Sequence, residues 1–345
     1  MNKHLISSSN TVLEALARLN GLPGNAMTLF VTDGDGCVCG SLTDGDVRRA
    51  LLGGLSLESP CGLAARRSFR RVVAGQADVA ALRDLRALGI TLVPVLDHKG
   101  RLLNILDLSA RRTYLPLRAV LMAGGLGERL RPATLTTPKP LLQIEGKAII
   151  DYNIEALAAC GISDISVTTR YLAEKIEEHF AEPVAGVRVR CVREDIPLGT
   201  IGAVALTGVA GNDGDTLVMN SDLLTTISFE EMYLRHKTME ADITVAVVPY
   251  SVSVPYAILN LSPDDPDTVA AIEEKPSYSY YANGGIYMIR NELLRTLSPG
   301  VRTDATDFIA EAIARGRRVT YYTINGTWID VGSPMDFRQA GELIR

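Results

Sequence analysis

The residues best suited to chemistry form a run of glycines and spaced cations, Gly124-Gly125-Leu126-Gly127-Glu128-Arg129-Leu130-Arg131-Pro132, followed by Thr136-Thr137-Pro138-Lys139-Pro140. The preceding Leu117-Arg118-Ala119-Val120-Leu121-Met122 reads as a buried strand. Glycines lack a Cβ, so backbone N–H groups in the turn after that strand can approach an anion, which marks a phosphate-handling loop. Two other phosphate motifs do not fit. A Walker-type loop ends in Gly-Lys-Ser/Thr where this chain has Gly127-Glu128-Arg129, and a dinucleotide fingerprint needs a third glycine where Leu130 stands. Two carboxylates accompany the loop. Leu217-Val218-Met219-Asn220-Ser221-Asp222 carries Asp222 to the end of a buried strand, the edge at which open α/β sheets bind ligands, and Thr327-Trp328-Ile329-Asp330-Val331-Gly332 delivers Asp330. Taken alone, either aspartate reads as a cap or turn residue.

These groups need a scaffold, and from Leu117 onward strands alternate with helices as in an open, Rossmann-like α/β sheet. Strands are expected over 164–169, 187–192, 216–219 and 243–248. Helices are expected over 149–160, ended by Gly161, and over 229–239, opened by Ser228 with Glu231 in capping-box position. A last helix starts at Ser333-Pro334, with Asp336 at the box position. At 345 residues the chain can hold two domains with real cores. The expected division is 1–116 and 117–345, with 111–116 as the linker.

Hydrophobic residues at 47% and charged residues at 22% are ordinary for a soluble globular protein, and no apolar run approaches a membrane span. Met1-Asn2-Lys3-His4 leads into the polar Ser7-Ser8-Ser9-Asn10 rather than a signal peptide, so a cytoplasmic address is expected, with no membrane partner. Cys37, Cys39, Cys61, Cys160 and Cys191 lack metal-ligand spacing and read as reduced thiols. A net charge of −5 argues against a nucleic-acid partner, although Arg66, Arg67, Arg70 and Arg71 form a local basic cluster.

The first third repeats itself. Leu29 to Asp33 turns through Gly34-Asp35-Gly36 into Cys37 to Gly40, and Val93 to Asp97 turns through His98-Lys99-Gly100 into Arg101 to Asn104. Asp33 to Asp97 and Gly36 to Gly100 are both displacements of 64, and amphipathic helices over 12–19 and 79–88 precede the two hairpins. Two helix-hairpin-helix units in an α+β arrangement are expected.

The long glycine-rich run with its Pro-Lys-Pro partner resembles the signature of the sugar-1-phosphate nucleotidylyltransferases, and the resemblance extends from Leu117 to Arg345. It implies that Ala123, Gly124, Gly125 and Gly127 bind the nucleotide, that Arg129 meets the leaving pyrophosphate and that Lys139 bridges the reacting phosphates. Asp222 and Asp330 sit where that family holds catalytic Mg²⁺, an ion for which one or two carboxylates plus phosphates and waters suffice. Glu194-Asp195-Ile196-Pro197-Leu198-Gly199-Thr200 resembles the base-binding loop, with Glu194 reading the base and Gly199 approaching the nucleotide. Glu273-Glu274-Lys275-Pro276 and Asn283-Gly284-Gly285-Ile286-Tyr287 resemble sugar-phosphate segments, implying roles for Glu274, Lys275, Asn283 and Gly284. Pro255-Tyr256-Ala257 departs from the usual Pro-Tyr-Gly.

The implied reaction joins a sugar 1-phosphate to a nucleoside triphosphate, giving a nucleotide sugar and pyrophosphate. The preferred base is guanine, because a carboxylate such as Glu194 can accept from both N1–H and the 2-amino group. The sugar is expected to be mannose, glucosamine or a related hexose. A uridylyl- or thymidylyltransferase of the same fold, a noncatalytic nucleotide sensor and a phosphocholine-type transferase are the alternatives. Retention of Arg129, Lys139, Asp222 and Asp330 speaks against the sensor, and Glu274, Lys275 and Asn283 favour a sugar over phosphocholine.

The repeated units resemble a tandem pair of CBS domains, most clearly at Gly40-Ser41-Leu42-Thr43-Asp44-Gly45-Asp46-Val47-Arg48. That likeness implies a regulatory adenine-nucleotide site in which Thr43 and Asp46 hold a ribose, and a homo-oligomer. Helix capping explains the same two residues on spacing alone. The second unit places Asp107 and Ala110 at the matching positions, so one intact site is expected.

Overall fold

The computed structural model describes residues 3–22, 27–73, 78–109, 113–211 and 213–344. They fall into two compact units, Met1–Pro116 with Ala159–Gly161, and Leu117–Ala158 with Ile162–Arg345.

The first unit contains β1 (Leu5–Ser7), α1 (Val12–Asn20), β2 (Thr28–Thr32), β3 (Val38–Thr43), α2 (Asp44–Leu52), β4 (Val72–Val73), α3 (Val79–Ala87), β5 (Leu92–Leu96) and β6 (Leu102–Asp107). Its strands form two three-stranded sheets, β1-β2-β3 and β4-β5-β6, each with a parallel first pair and an antiparallel second pair. The repeat is exact in the hairpins: a bulge between Val31 and Thr32 recurs between Val95 and Leu96, again 64 residues on. Phe30, Val38, Leu92 and Leu96 from the two sheets share one apolar cluster. α1 buries Val12, Ala15 and Leu19 on one face and is opened by a reciprocal Thr11–Glu14 capping box.

One sequence expectation fails in this unit. A helix follows β3, but among the described residues none follows β6. Asp107 instead accepts hydrogen bonds from the Ser109 N–H (2.9 Å) and Ser109 Oγ (2.5 Å), which closes a tight turn in place of a helical start. Ala110, the expected counterpart of Asp46, and linker residues 111–112 lie outside the described residues.

The second unit runs β7 (Leu117–Ala123), β8 (Gln143–Ile144), β9 (Lys147–Ala148), α4 (Ile149–Ala159), β10 (Ile165–Thr169), α5 (Ala173–His179), β11 (Arg190–Arg193), β12 (Asp215–Asn220), β13 (Leu223–Thr225), α6 (Phe229–Thr238), β14 (Ile243–Ser253), β15 (Ile258–Leu261), β16 (Val269–Glu273), β17 (Ser277–Arg290), α7 (Asn291–Leu294), α8 (Ala305–Ala314), β18 (Val319–Thr323), β19 (Trp328–Asp330) and α9 (Pro334–Ile344). Seven strands form one sheet in the order β11-β10-β7-β12-β17-β14-β18. β11, β10, β7 and β12 are mutually parallel, and β17 runs antiparallel to both neighbours. Residues 119–123 of β7 and 217–219 of β12 are apolar without interruption because both faces of the sheet are covered; Ala119, Val120, Leu121, Leu217, Val218 and Met219 are all fully buried.

The strand expected over 187–192 forms only over Arg190–Arg193, because Val187 exchanges two backbone hydrogen bonds with Val184 in a tight turn. β14 runs five residues past the expected 248, to Ser253, since its far half pairs with β17 in a two-stranded ribbon. Ser228 opens α6 by accepting the Glu231 N–H, and Ser333 opens α9 by accepting the Asp336 N–H. No helix among the described residues is long and apolar enough to cross a membrane.

Candidate active site

The sheet order dictates where the site forms. β7 is followed on one side by β10 and β11 and on the other by β12, so the strand order reverses at β7, and ligands bind outside the carboxyl ends of strands at such a point. Four strand ends converge there: β7 leads into the glycine loop, β12 into Asp222, β11 into Glu194 and β10 into Arg170. Asp330 arrives from far along the chain by pairing. β13 and β19 are antiparallel with Leu223 opposite Asp330, and the Val331 N–H donates to the Asp222 carbonyl at 3.1 Å. That ladder sets the two carboxylates side by side.

Lys139 lies between them. Its ammonium donates to Asp222 and, at 3.3 Å, to Asp330. The other Asp222 oxygen, Oδ1, is buried without a hydrogen-bond partner. Burial pushes the Asp222 carboxyl above its ordinary range; Lys139 opposes the shift and the neighbouring Asp330 adds to it. An orphaned buried carboxylate oxygen beside a second carboxylate is a donor set suited to a hard divalent cation. No histidine or cysteine takes part in it; among the described residues no cluster of three or more His, Cys, Asp or Glu forms a closed cage. The fit is therefore to an ion that keeps open positions for ligand oxygens and water.

The glycine loop is shaped by what it touches. Gly127 has φ +61°, a left-handed conformation, and a Cβ there would sit 2.9 Å from Thr134 Cγ2 and 3.2 Å from Lys139 Cβ. Thr134 Oγ1 donates to the Gly127 carbonyl at 2.8 Å, which fixes the turn. A Cβ on Gly124 would lie 2.7 Å from Glu194 Oε1, so a side chain there would push the carboxylate from its present place against the loop. The Arg129 guanidinium lies close over Gly332, 3.0–3.3 Å from where a Cβ would be.

Two adjoining cavities result. One, of about 330 Å³, is walled by Ala123, Gly124, Gly125, Glu194, Leu198, Gly199 and Asp222 among others. The other, of about 550 Å³, is walled by the loop from Gly125 to Arg129 with Lys139, Arg170, Asp222 and Gly332. Glu194 is buried at 6% exposure. Burial raises its pKa, against the Leu198 N–H that donates to Oε2 at 3.2 Å and the positive Arg170 nearby. The loop bearing Gly199 is clamped by the segment before α8: the Thr200 N–H donates to Asp304 Oδ1 at 3.1 Å, and Ile201 and Gly202 N–H groups both donate to the Thr303 carbonyl at 3.1 Å.

The structure thus gathers Ala123, Gly124, Gly125, Gly127, Arg129, Lys139, Glu194, Gly199, Asp222 and Asp330 around one crevice. The sugar-phosphate candidates lie apart from it. Glu274 and Lys275 are exposed at the turn between β16 and β17 and line neither cavity. Asn283 is exposed, with its Oδ1 accepting the Gly285 N–H at 2.9 Å, and buried Gly284 accepts from Trp328 Nε1 at 2.9 Å, two residues before Asp330. Sequence reading missed Arg170 and Asp304. Arg170 is the first residue past a parallel strand, and Asp304 precedes the apolar repeat Ala305, Phe308 and Ala312 of α8; both signals were present.

In the first unit, Thr43 and Asp46 form a reciprocal capping box at the start of α2. Thr43 Oγ1 donates to Asp46 Oδ2 at 2.6 Å, and Asp46 also pairs with Arg49 and, at 3.7 Å, with Arg66. Both residues line a cavity of about 710 Å³ with Phe30, Phe69 and Arg70.

A nucleotidyl transferase family model matches residues 118–345 and a CBS domain model matches residues 1–53. The mannose-1-phosphate guanyltransferase of Schizosaccharomyces pombe is 31% identical over 227 residues, 64% of this chain and 62% of that protein. The mannose-1-phosphate guanylyltransferase catalytic subunit beta of Dictyostelium discoideum is 28% identical over 225 residues, again 64% and 62%. The chain therefore matches less than two thirds of the length of these curated relatives. Among solved structures, a putative glucose-1-phosphate thymidylyltransferase from Bacillus anthracis, in complex with a sucrose, superposes with TM-score 0.52 at 25% identity, over 66% of this chain and 95% of that one.

Proposed function

The chain belongs to the nucleotidyl transferase family, and we propose that it transfers a guanylyl group from GTP to a hexose 1-phosphate, mannose 1-phosphate first, releasing pyrophosphate. The observation that carries the reading is the Glu194 carboxylate, buried against Gly124 in the cavity that adjoins the Lys139–Asp222–Asp330 cluster. A carboxylate there accepts from guanine N1–H and the 2-amino group together, whereas uracil and thymine offer one such donor. The names of the relatives support both guanine and mannose.

In the proposed step an oxygen of the sugar phosphate attacks the α-phosphorus, an O–P bond forms, and the bond to the β-phosphate oxygen breaks. The nucleophile is already ionised at neutral pH, so no base is required; no histidine among the described residues lines either cavity. Repulsion between anions is the obstacle. Alignment and charge neutralisation supply the catalysis, from loop N–H groups, Arg129 and Lys139. A forked guanidinium suits the leaving pyrophosphate, and the Lys139 ammonium is placed to exchange carboxylate for phosphate oxygens. Asp222 and Asp330 would hold the divalent cation, which we take to be Mg²⁺; when bound it supplies charge neutralisation at the phosphates. Glu274, Lys275, Asn283 and Gly284 remain the proposed sugar-phosphate contacts, on the strength of the sequence segments that carry them.

The first unit is proposed to be a regulatory module that takes an adenine nucleotide in the cavity beside Thr43 and Asp46, in a homo-oligomeric protein of the cytoplasm. The five free cysteines support a reducing compartment. The transferase reading is tested by crossing GTP, UTP, dTTP, ATP and CTP with mannose, glucose and glucosamine 1-phosphates and scoring pyrophosphate. Fastest release from GTP is expected. A clear preference for UTP or dTTP would overturn the guanine assignment, and no release from any pair would overturn the enzyme.

A further inference from the structure

Arg170 lies outside the glycine-rich, base-binding and sugar-phosphate segments, yet its surroundings single it out. It follows the last residue of β10, and β10 pairs with β7 so that Thr169 lies opposite Ala123. Arg170 is therefore flanked by the glycine loop: a Cβ on Gly124 would lie 3.5 Å from Arg170 Cβ. Among the described residues, only Gly125, Lys139, Arg170 and Asp222 line both cavities. Of the two cations in that group, Lys139 is engaged with Asp222 and Asp330. Arg170 forms no hydrogen bond or ion pair with any described residue and is half-buried. Other carboxylates around the crevice already have partners: Glu128 pairs with Arg131 and Asp304 with Arg302. The buried Glu194 is close enough to feel the Arg170 charge but is not in contact with it.

We propose that Arg170 is a nucleotide-phosphate-binding residue, whose guanidinium takes phosphate oxygens of the triphosphate at the seam between the base cavity and the phosphate cavity. A planar fork of donors matches phosphate oxygens in pairs, and a guanidinium that no protein carboxylate engages is left available to them. The proposal rests on the nucleotidyl transfer reading. It adds a contact that the glycine-rich motif does not contain, from the end of a different strand.

The rival role for Arg170 is to balance the Glu194 charge, in which case it would act on the base rather than on the phosphates. Guanosine, GDP and GTP distinguish the two. Affinities are measured by competition on the full chain with magnesium chloride present, for the native protein, Arg170→Gln and Arg170→Lys, with thermal melting as the check on folding. The expected result is a loss of roughly 10–100-fold for GTP and GDP in Arg170→Gln, partial recovery in Arg170→Lys, and guanosine affinity unchanged within about threefold. Native GTP affinity in Arg170→Gln, or an equal loss for guanosine, would overturn the assignment of Arg170 while leaving the transferase reading intact. Failure of the native chain to bind any nucleoside triphosphate would overturn both.

Discussion

Asp222 and Asp330 answer to one another through Lys139, so the ion pair in the free protein and the metal site are alternative uses of the same two carboxylates. Asp222→Asn and Asp330→Asn should each lower turnover by about 10²–10³ or more, as when one preorganised charge-stabilising group is removed. Circular dichroism should show a retained fold, and near-native turnover in either variant would remove the metal assignment. Glu194 makes a different prediction. Its pKa is raised by burial, so the native state holds this proton more tightly than the unfolded chain does. Stability from this group is then lost as pH rises from the ordinary carboxylate value through the raised one. Glu194→Gln should melt higher than the native protein at pH 7, with the gap closing as pH falls into the carboxylate range. The same variant should lose much of its preference for GTP over UTP. A lower melting temperature at pH 7 and no convergence on acidification would mean that the carboxylate is held by favourable contacts instead.

At the scale of the element, the glycine loop turns on a left-handed residue that has no room for a side chain. Gly127→Ala puts a Cβ on a left-handed residue and against Thr134 and Lys139, so a stability loss of about 1–3 kcal/mol is expected together with reduced turnover. Denaturant melts and pyrophosphate release check the two effects; an alanine variant with native melting would show that the loop relaxes freely. Much of this scaffold was legible in the sequence. β7 and β12 carry apolar runs with their functional residues immediately beyond, and the caps Ser228 and Ser333 mark α6 and α9. What escaped depends on distant partners. Nothing near Gly199 announces that Thr303 and Asp304 clamp its loop, and nothing near Arg170 announces that it shares a wall with Lys139. The helix expected after β6 was a local misreading: Asp107 could open a helix or close a turn, and its bonds to Ser109 close the turn.

At the scale of the whole molecule, two compact units carry two proposed nucleotide sites of different chemistry. In the second unit charge neutralisation dominates; in the first, Phe30 and Phe69 offer apolar surface beside the Arg49, Arg66 and Arg70 cations. Titration of the full chain with AMP, ADP and ATP should show binding at the first unit and a change in substrate affinity of roughly 5–150-fold, the usual range of allosteric coupling. Asp46→Ala would also break the capping box, at a cost of about 1 kcal/mol, whereas Arg70→Ala leaves the box untouched and reports on the phosphate alone. Absence of binding, or binding indifferent to both substitutions, would assign the first unit a packing role. The central claim, nucleotidyl transfer, is tested most directly by following label from GTP in the presence of mannose 1-phosphate and magnesium chloride. With α-labelled GTP the label should appear in the nucleotide sugar, and with γ-labelled GTP in pyrophosphate. Release of the γ-label as orthophosphate, its transfer to the sugar, or no turnover with any triphosphate would contradict the account.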